Sequence, residues 1–361
     1  MLYLISLLSF LLPTQLALHV NSLRSTVYGF QIDYLIPTLY LTDIISLLII
    51  IFGFRYLKIN KSFKLYALCY MVFVAVNILI SSYLVPSAYK WFKVTEMLLL
   101  GVVIFNTKKF DVFKNFIKPL SYSIFIACLL GIMQFINKGS IGGIFYWFGE
   151  RSFVFNDPNI APYPYATFSH PNSFAGFLLV FGIFLLQYRK KFVAKYFWIS
   201  SVLVGINLIL TNSLNVYITI AVLLLVLLKK SSVFLFLPFD LSQRFVTHRL
   251  ELINAAFTIV KENFWFGVGL NNFIPNLVKV SNTFVNSWEL QPVHNIFLLV
   301  FSETGVIGLY ALCFMLYGTL TAYNLPLIAI LITGLSDHYW LTLQQNMLLF
   351  TYVLAISKRQ C

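Results

Sequence analysis

Apolar runs return along this chain at intervals that no soluble fold accommodates. They occupy about 2–18, 35–54, 65–84, 91–106, 119–137, 171–188, 196–212, 214–228, 294–318, 322–336 and 338–356. A bilayer core of roughly 30 Å is crossed by about 20 apolar residues in a helix, and most of these runs approach that length. In lipid, every backbone N–H and C=O must be satisfied within the segment, which leaves helices or closed barrels. The runs are continuous rather than alternating, so they are helices. Only 10% of the residues are charged, against about 25% in a soluble domain. The expected fold class is therefore all-α: a polytopic integral membrane protein, with 1–361 forming a single transmembrane domain.

The net charge of +13 would point to nucleic acid in a soluble protein. Here the positive-inside rule accounts for it, and no nucleic-acid partner is expected. Arg55, Lys58, Lys61 and Lys64 share one connection, and Lys108, Lys109, Lys114 and Lys118 the next but one. Arg189, Lys190, Lys191 and Lys195 follow, then Lys229 with Lys230, then Lys358 with Arg359. Alternate connections thus gather the cations and are expected on the cytoplasmic side, with both termini. Met1 leads directly into an apolar run with no basic leader, which reads as a first membrane helix rather than a cleaved signal. Cys69, Cys128, Cys313 and Cys361 are scattered and form no C-x-x-C pair, so no disulfide framework is expected.

Parity requires a crossing between Lys230 and Asp240, where only SSVFLFLPF is available. Nine helical residues rise about 14 Å, so this is a short ninth crossing of about 12. Segments 138–170 and 239–293 then fall outside the cytoplasm. The second is a large periplasmic loop inserted before the helix that starts at His294, and a loop of that length signals function. Leu250, Ile253, Phe257, Val260 and Phe264 repeat at helical spacing, which predicts an amphipathic helix on the membrane surface. Asp240 and Gln243 supply a start signal for it. FGVGLNNF then breaks the pattern with Gly267 and Gly269.

In QPVHNIFLLVFSETGVIG (291–308), His294 and Asn295 stand at the mouth of an apolar run. Gly305 and Gly308 lie on nearly the same helical face, Gly305 about 16 Å deeper. They are expected to admit a neighbouring helix and so fix the rotation of the helix carrying His294. Glu303 points away from that face and is expected to satisfy a neighbouring polar group.

The spacing H-N-x9-G-x-x-G resembles the signature of the O-antigen ligase and polymerase superfamily of bacterial membrane glycosyltransferases. HRLELINAAFTIVKENFWFGVGLNNF is similar to that family's Arg, amphipathic helix and G-V-G-x-x-N-F pattern. FSHPNSFAGFL at 168–178 resembles the family's entry into its central helices. One departure is TNSLNVY at 211–217, with Leu214 where relatives often carry an Arg; Arg244 or Arg151 would then stand in for it. The resemblance implies a glycan donor on undecaprenyl diphosphate and a lipid A-core or other glycan acceptor. It also implies catalysis on the periplasmic face of the bacterial inner membrane, amid membrane lipid. His294 would handle the acceptor hydroxyl, because imidazole titrates near neutrality. Arg249 would hold the leaving diphosphate, because guanidinium binds phosphate bidentately. Arg244, Arg151, Asn295 and His170 are the candidate substrate-binding residues.

Each has a plainer alternative: an interfacial helix start for His294, snorkelling for Arg249, a solvated face for Arg244, an ion pair with Glu150 for Arg151. For His170, Asp43 and Asp337 the plainer alternative is helix entry, capping or packing. No carboxylate pair or histidine cluster shows metal-ligand spacing in the sequence, so neither metal nor cofactor is expected. A polymerase of the same superfamily is the second reading. A transporter is the third, disfavoured because charges gather at the rim rather than on paired broken helices at the midplane.

Overall fold

The computed structural model describes residues 1–20, 25–56, 61–154, 163–228, 243–281, 283–284, 286–320 and 324–360. The expected ninth crossing at 231–239 lies outside them. The described chain is mostly helical, and its apolar runs become helices almost one for one.

α1 (Leu2–Leu11) is shorter than the run that predicts it. Leu12 keeps helical geometry (φ −50°, ψ −43°), and beyond Pro13 the chain turns extended. Ala17–His19 (β1) then pairs antiparallel with Thr38–Tyr40 (β4), and between them Thr26–Val27 (β2) pairs with Phe30–Gln31 (β3). α2 (Leu41–Gly53) starts where the Asp43 carboxylate caps the Tyr40 N–H. α3 (Lys61–Leu79) and α4 (Leu84–Asn106) follow, the latter carrying Pro86 in its first turn, where Pro is tolerated. A π-helical turn, Val112–Ile117, leads into α5 (Lys118–Asn137). After the short α6 (Ile144–Trp147) come α7 (Pro171–Gln187), α8 (Ala194–Leu210) and α9 (Leu214–Leu228). The loop helices are α10 (Gln243–Glu262) and α11 (Phe273–Val280), and α12 (Ile296–Tyr317) returns to the bundle. α13 (Leu325–Gly334), α14 (Tyr339–Thr342) and α15 (Gln344–Gln360) complete the chain. The single helix expected over 338–356 is divided, because Leu343 is extended between the last two.

Val112–Asn137 and Ile296–Tyr317 are each long and apolar enough to cross a bilayer. Leu2–Leu11, Pro171–Gln187, Ala194–Leu210 and Leu325–Gly334 are shorter apolar helices. One apolar core joins α1, α2, α4, α5, α7, α8, α13 and α15. Polar side chains tie helix to helix inside it: Asn207 donates to the Cys128 carbonyl and Ser173 bonds Asn346. Lys93 on α4 pairs with Asp43 on α2 and lies 3.5 Å from Glu96, and Gln344 donates to Asp43 at 2.6 Å. A second core caps one end of the bundle, where Leu252, Ala256 and Ile259 of α10 meet Phe273 and Leu277 of α11, Leu299 of α12, and Val27, Ile32 and Leu35.

The predicted stripe is shared between protein and surroundings: Val260 is buried and Ile253 packs against the second core. Leu250 and Phe257 are exposed, and so are Phe264, Trp265 and Phe266 beyond the helix end. Leu252, Ala255, Ala256 and Ile259 are buried as well. α10 thus offers apolar surface both to this core and, through Leu250 and Phe257, away from it. A helix lying at a membrane surface has lipid to satisfy that side.

Candidate active site

Three chain crossings meet beside the capping core: the entry to α7, the entry to α12, and the link from α13 to α14. His170 is the N-cap of α7, its Nδ1 accepting from the Asn172 N–H at 3.1 Å. Asn295 is the N-cap of α12, its carbonyl oxygen accepting from the Phe297 and Leu298 N–H groups. Its amide nitrogen donates to the Leu335 carbonyl at 3.0 Å. Both ends of Asn295 are thus committed to fastening the His294 turn to residues 335–338.

This fastening brings His294 Nδ1 within 3.5 Å of Asp337 Oδ1. Asp337 is buried, and its carboxylate also accepts from the His338 N–H at 2.8 Å and the Asn172 amide at 3.4 Å. His338, also buried, lies with its ring 5.0 Å from that of His294 and edge-on to Tyr34 at 5.5 Å. Its Nδ1 is 2.8 Å from Thr342 Oγ1. His294 Nε2 is 3.2 Å from the side-chain amide of Gln291. Burial works against the Asp337 charge, but pairing with His294 and the charge of that imidazole outweigh it and hold the carboxyl well below the usual carboxylate range. Burial, reinforced by His294, pushes the His338 imidazole down to about 3, so it stays neutral.

The cations converge on the same place. Arg249 donates to the Ser336 carbonyl at 2.9 Å, one residue before Asp337. Burial lowers its pKa, and the Asp337 charge restrains that shift. Arg151 donates to the Ser169 carbonyl at 2.8 Å and lies over the Tyr165 ring, within electrostatic reach of His170 and Tyr34. The expected Arg151–Glu150 ion pair is replaced. Glu150 instead accepts from Gln134 and from the Ile141 and Gly142 N–H groups. Arg244 lies in the first turn of α10, and its side chain is outside the described residues.

Gly305 and Gly308 act differently from the helix-packing pair expected. Gly305 has φ 68° and ψ −171°, which interrupts α12. That backbone region is open essentially to glycine alone. Into the break docks the turn after α10: Val268 and Gly269 donate to the Ser302 and Glu303 carbonyls at 3.0 Å, and Val306 donates to the Phe264 carbonyl at 2.9 Å. A Cβ on Gly305 would strike the Trp265 carbonyl, and one on Gly267 (φ 67°) would strike the backbone of Glu303 and Thr304. A Cβ on Gly308 would meet Thr304 of its own helix, not a neighbouring one. Asn77 of α3 clamps the junction, donating to the Phe266 and Glu303 carbonyls at 2.8 and 3.0 Å. Glu303 accepts from the Phe273 N–H that starts α11, at 3.2 Å, as a group serving its neighbours should.

An apolar cleft of about 720 Å³ opens beside the histidines. Its lining includes Pro292, Leu299, Trp340, Thr342 and Met347, together with Asn106 and Lys358. Thr342 therefore touches both the cleft and, through His338, the charged cluster.

Residues 165–313 match the family model described as O-antigen ligase. Over that stretch the chain is similar to the O-antigen ligase superfamily. No curated protein matches it. Members of that superfamily are glycosyltransferase-like ligases and polymerases of the membrane, and the match covers less than half of this chain. His170, Arg249, His294 and the four glycines lie within the ligase match, whereas Arg151, Asp337 and His338 lie outside it. Sequence reasoning left Asp337 as a capping or packing group and passed over His338. The signal was SDHYW at 336–340, an adjacent acid and imidazole between two apolar runs, where ionisable groups are costly unless used.

Proposed function

We propose that the chain is an O-antigen ligase-type glycosyltransferase moving a glycan from undecaprenyl diphosphate to a lipid A-core acceptor at the periplasmic face of the inner membrane. The observation that carries this reading is the convergence of an Asp–His pair with two guanidinium groups at the mouth of an apolar cleft. An isoprenoid needs such a cleft, its diphosphate needs the cations, and an acceptor hydroxyl needs a base.

The chemistry follows from the placement. Asp337 draws the His294 proton to Nδ1, which leaves the Nε2 lone pair for the acceptor hydroxyl. Gln291 holds that position in the absence of an acceptor, either end of its amide being able to face the ring. The acceptor oxygen bonds the anomeric carbon, the carbon–oxygen bond to the diphosphate breaks, and the hydroxyl proton passes to Nε2. Arg249 and Arg151 stabilise the negative charge arriving on the departing diphosphate. No nucleotide is required, since the lipid diphosphate is itself the leaving group.

Deleting the gene and separating the cell's glycolipids tests the reading. The expected result is lipopolysaccharide without polymer caps, with lipid-linked polymer still present. Caps of one repeat would instead identify a polymerase, and an unchanged profile would remove both.

A further inference from the structure

The geometry points to a transition-metal site formed by His294, Asp337 and His338. One ligand atom from each lies within 4.8 Å of the others. Around a tetrahedral zinc, donors at about 2.0–2.2 Å from the ion sit roughly 3.4 Å from one another. The His294 Nδ1 to Asp337 Oδ1 distance of 3.5 Å already matches that edge. The third donor needs to close by no more than about 1.4 Å.

The surroundings are those of a ligand set. His294 Nδ1 is buried and makes no hydrogen bond. Thr342 occupies His338 Nδ1, which leaves Nε2 as that ring's ligating nitrogen. The Asn172 amide donates to Asp337 Oδ2, orienting the carboxylate from outside the cluster, as groups behind metal ligands do. Two imidazoles and one carboxylate select a borderline divalent ion, zinc or copper, over magnesium or calcium. The His294 side chain is 16% exposed, which provides the entry and leaves a fourth position for water.

Occupancy has a definite chemical consequence, which rests on the function proposed above. An ion on His294 Nδ1 forces the ring's proton onto Nε2. The nitrogen that would accept the acceptor's proton is then itself protonated, and Asp337 is spent on the ion. Zinc therefore acts as a reversible inhibitor.

Full-length protein in nanodiscs, stripped with chelator and titrated with Co²⁺, tests the site by visible d–d absorption and calorimetry. Wild type should take up one Co²⁺ per chain with a four-coordinate spectrum. Asp337→Asn, His338→Gln and His294→Ala should each lose that spectrum, and if one variant aggregates the other two decide. Zinc should displace cobalt and lower glycan transfer in step with occupancy, and chelator should restore it. Failure of wild type to bind cobalt stoichiometrically overturns the site, as does a spectrum that survives in the variants. If wild type binds no cobalt while His294→Ala still loses transfer, the metal site falls and the proposed function stands. Stoichiometric zinc that leaves transfer untouched would instead overturn the inhibition and, with it, His294 as the base.

Discussion

Asp337 is the residue on which the site most depends, and its partner His294 was the easier one to see. His294 announces itself in the H-N-x9-G-x-x-G stretch. Asp337, 43 positions later, reads as a capping group until the Asn295–Leu335 hydrogen bond closes the gap. Asp337→Asn keeps the shape but removes the anion that sets the imidazole tautomer. Transfer by the purified variant should fall by roughly 10²-fold or more, as happens when an Asp behind a catalytic His is neutralised, with donor binding little changed. Arg249 answers to a different assay. Arg249→Ala should lose donor affinity, since charge-assisted bonds contribute about 1.5–3 kcal/mol each. Arg249→Lys should retain part of it, keeping charge without the fork. His294→Ala should abolish transfer yet leave donor binding nearly intact. If its donor affinity drops as far as that of Arg249→Ala, His294 is a phosphate ligand.

Among the elements, α12 is the one whose character could not be read from spacing. Its apolar run predicts an unbroken span, and glycines on one face predict a neighbouring helix. The break exists because a turn from outside the bundle completes the hydrogen bonds that Gly305 gives up, a long-range event with no local signature. Gly305→Ala should therefore be costly twice over, for the conformation, at about 1–3 kcal/mol, and for the collision with Trp265. Gly205→Ala in α8 provides the contrast, since nothing lies within 4 Å of an added Cβ, and helix propensity favours it by up to about 1 kcal/mol. Thermal unfolding of both variants in nanodiscs should show a clear drop for the first and none for the second. α10 teaches the complementary lesson. Its period was legible, but Leu252, Ala255, Ala256 and Ile259, which it also buries, lie beside the stripe that spacing picks out.

At the scale of the whole molecule, the order and approximate bounds of the described helices followed from apolar runs because lipid leaves the backbone few choices. Sidedness rests on basic residues alone. Residue 281, placed by Cys substitution in a background with the native cysteines replaced, should react with an impermeant thiol reagent on intact spheroplasts. Reaction only after lysis would invert the topology. The buried charges of α4 were invisible as a network, because Asp43 and Lys93 are brought together only by helix packing. Lys93→Met should strand Asp43 and Glu96 in the bundle, a loss of about 3–5 kcal/mol for a broken buried pair, read as reduced yield of monodisperse protein.

The domain match ends at Cys313, yet the carboxylate that faces His294 arrives on the link between α13 and α14. The ligase domain is therefore not a portable module. In chimeras with superfamily relatives, a graft of 165–313 should restore transfer only when the host's own last three helices present an acid in register with the incoming histidine. A graft extended through residue 338 should work in hosts where the shorter one fails. The unit that can be exchanged between proteins is set by the hydrogen bond from Asn295 to Leu335, not by the edges of the recognisable sequence.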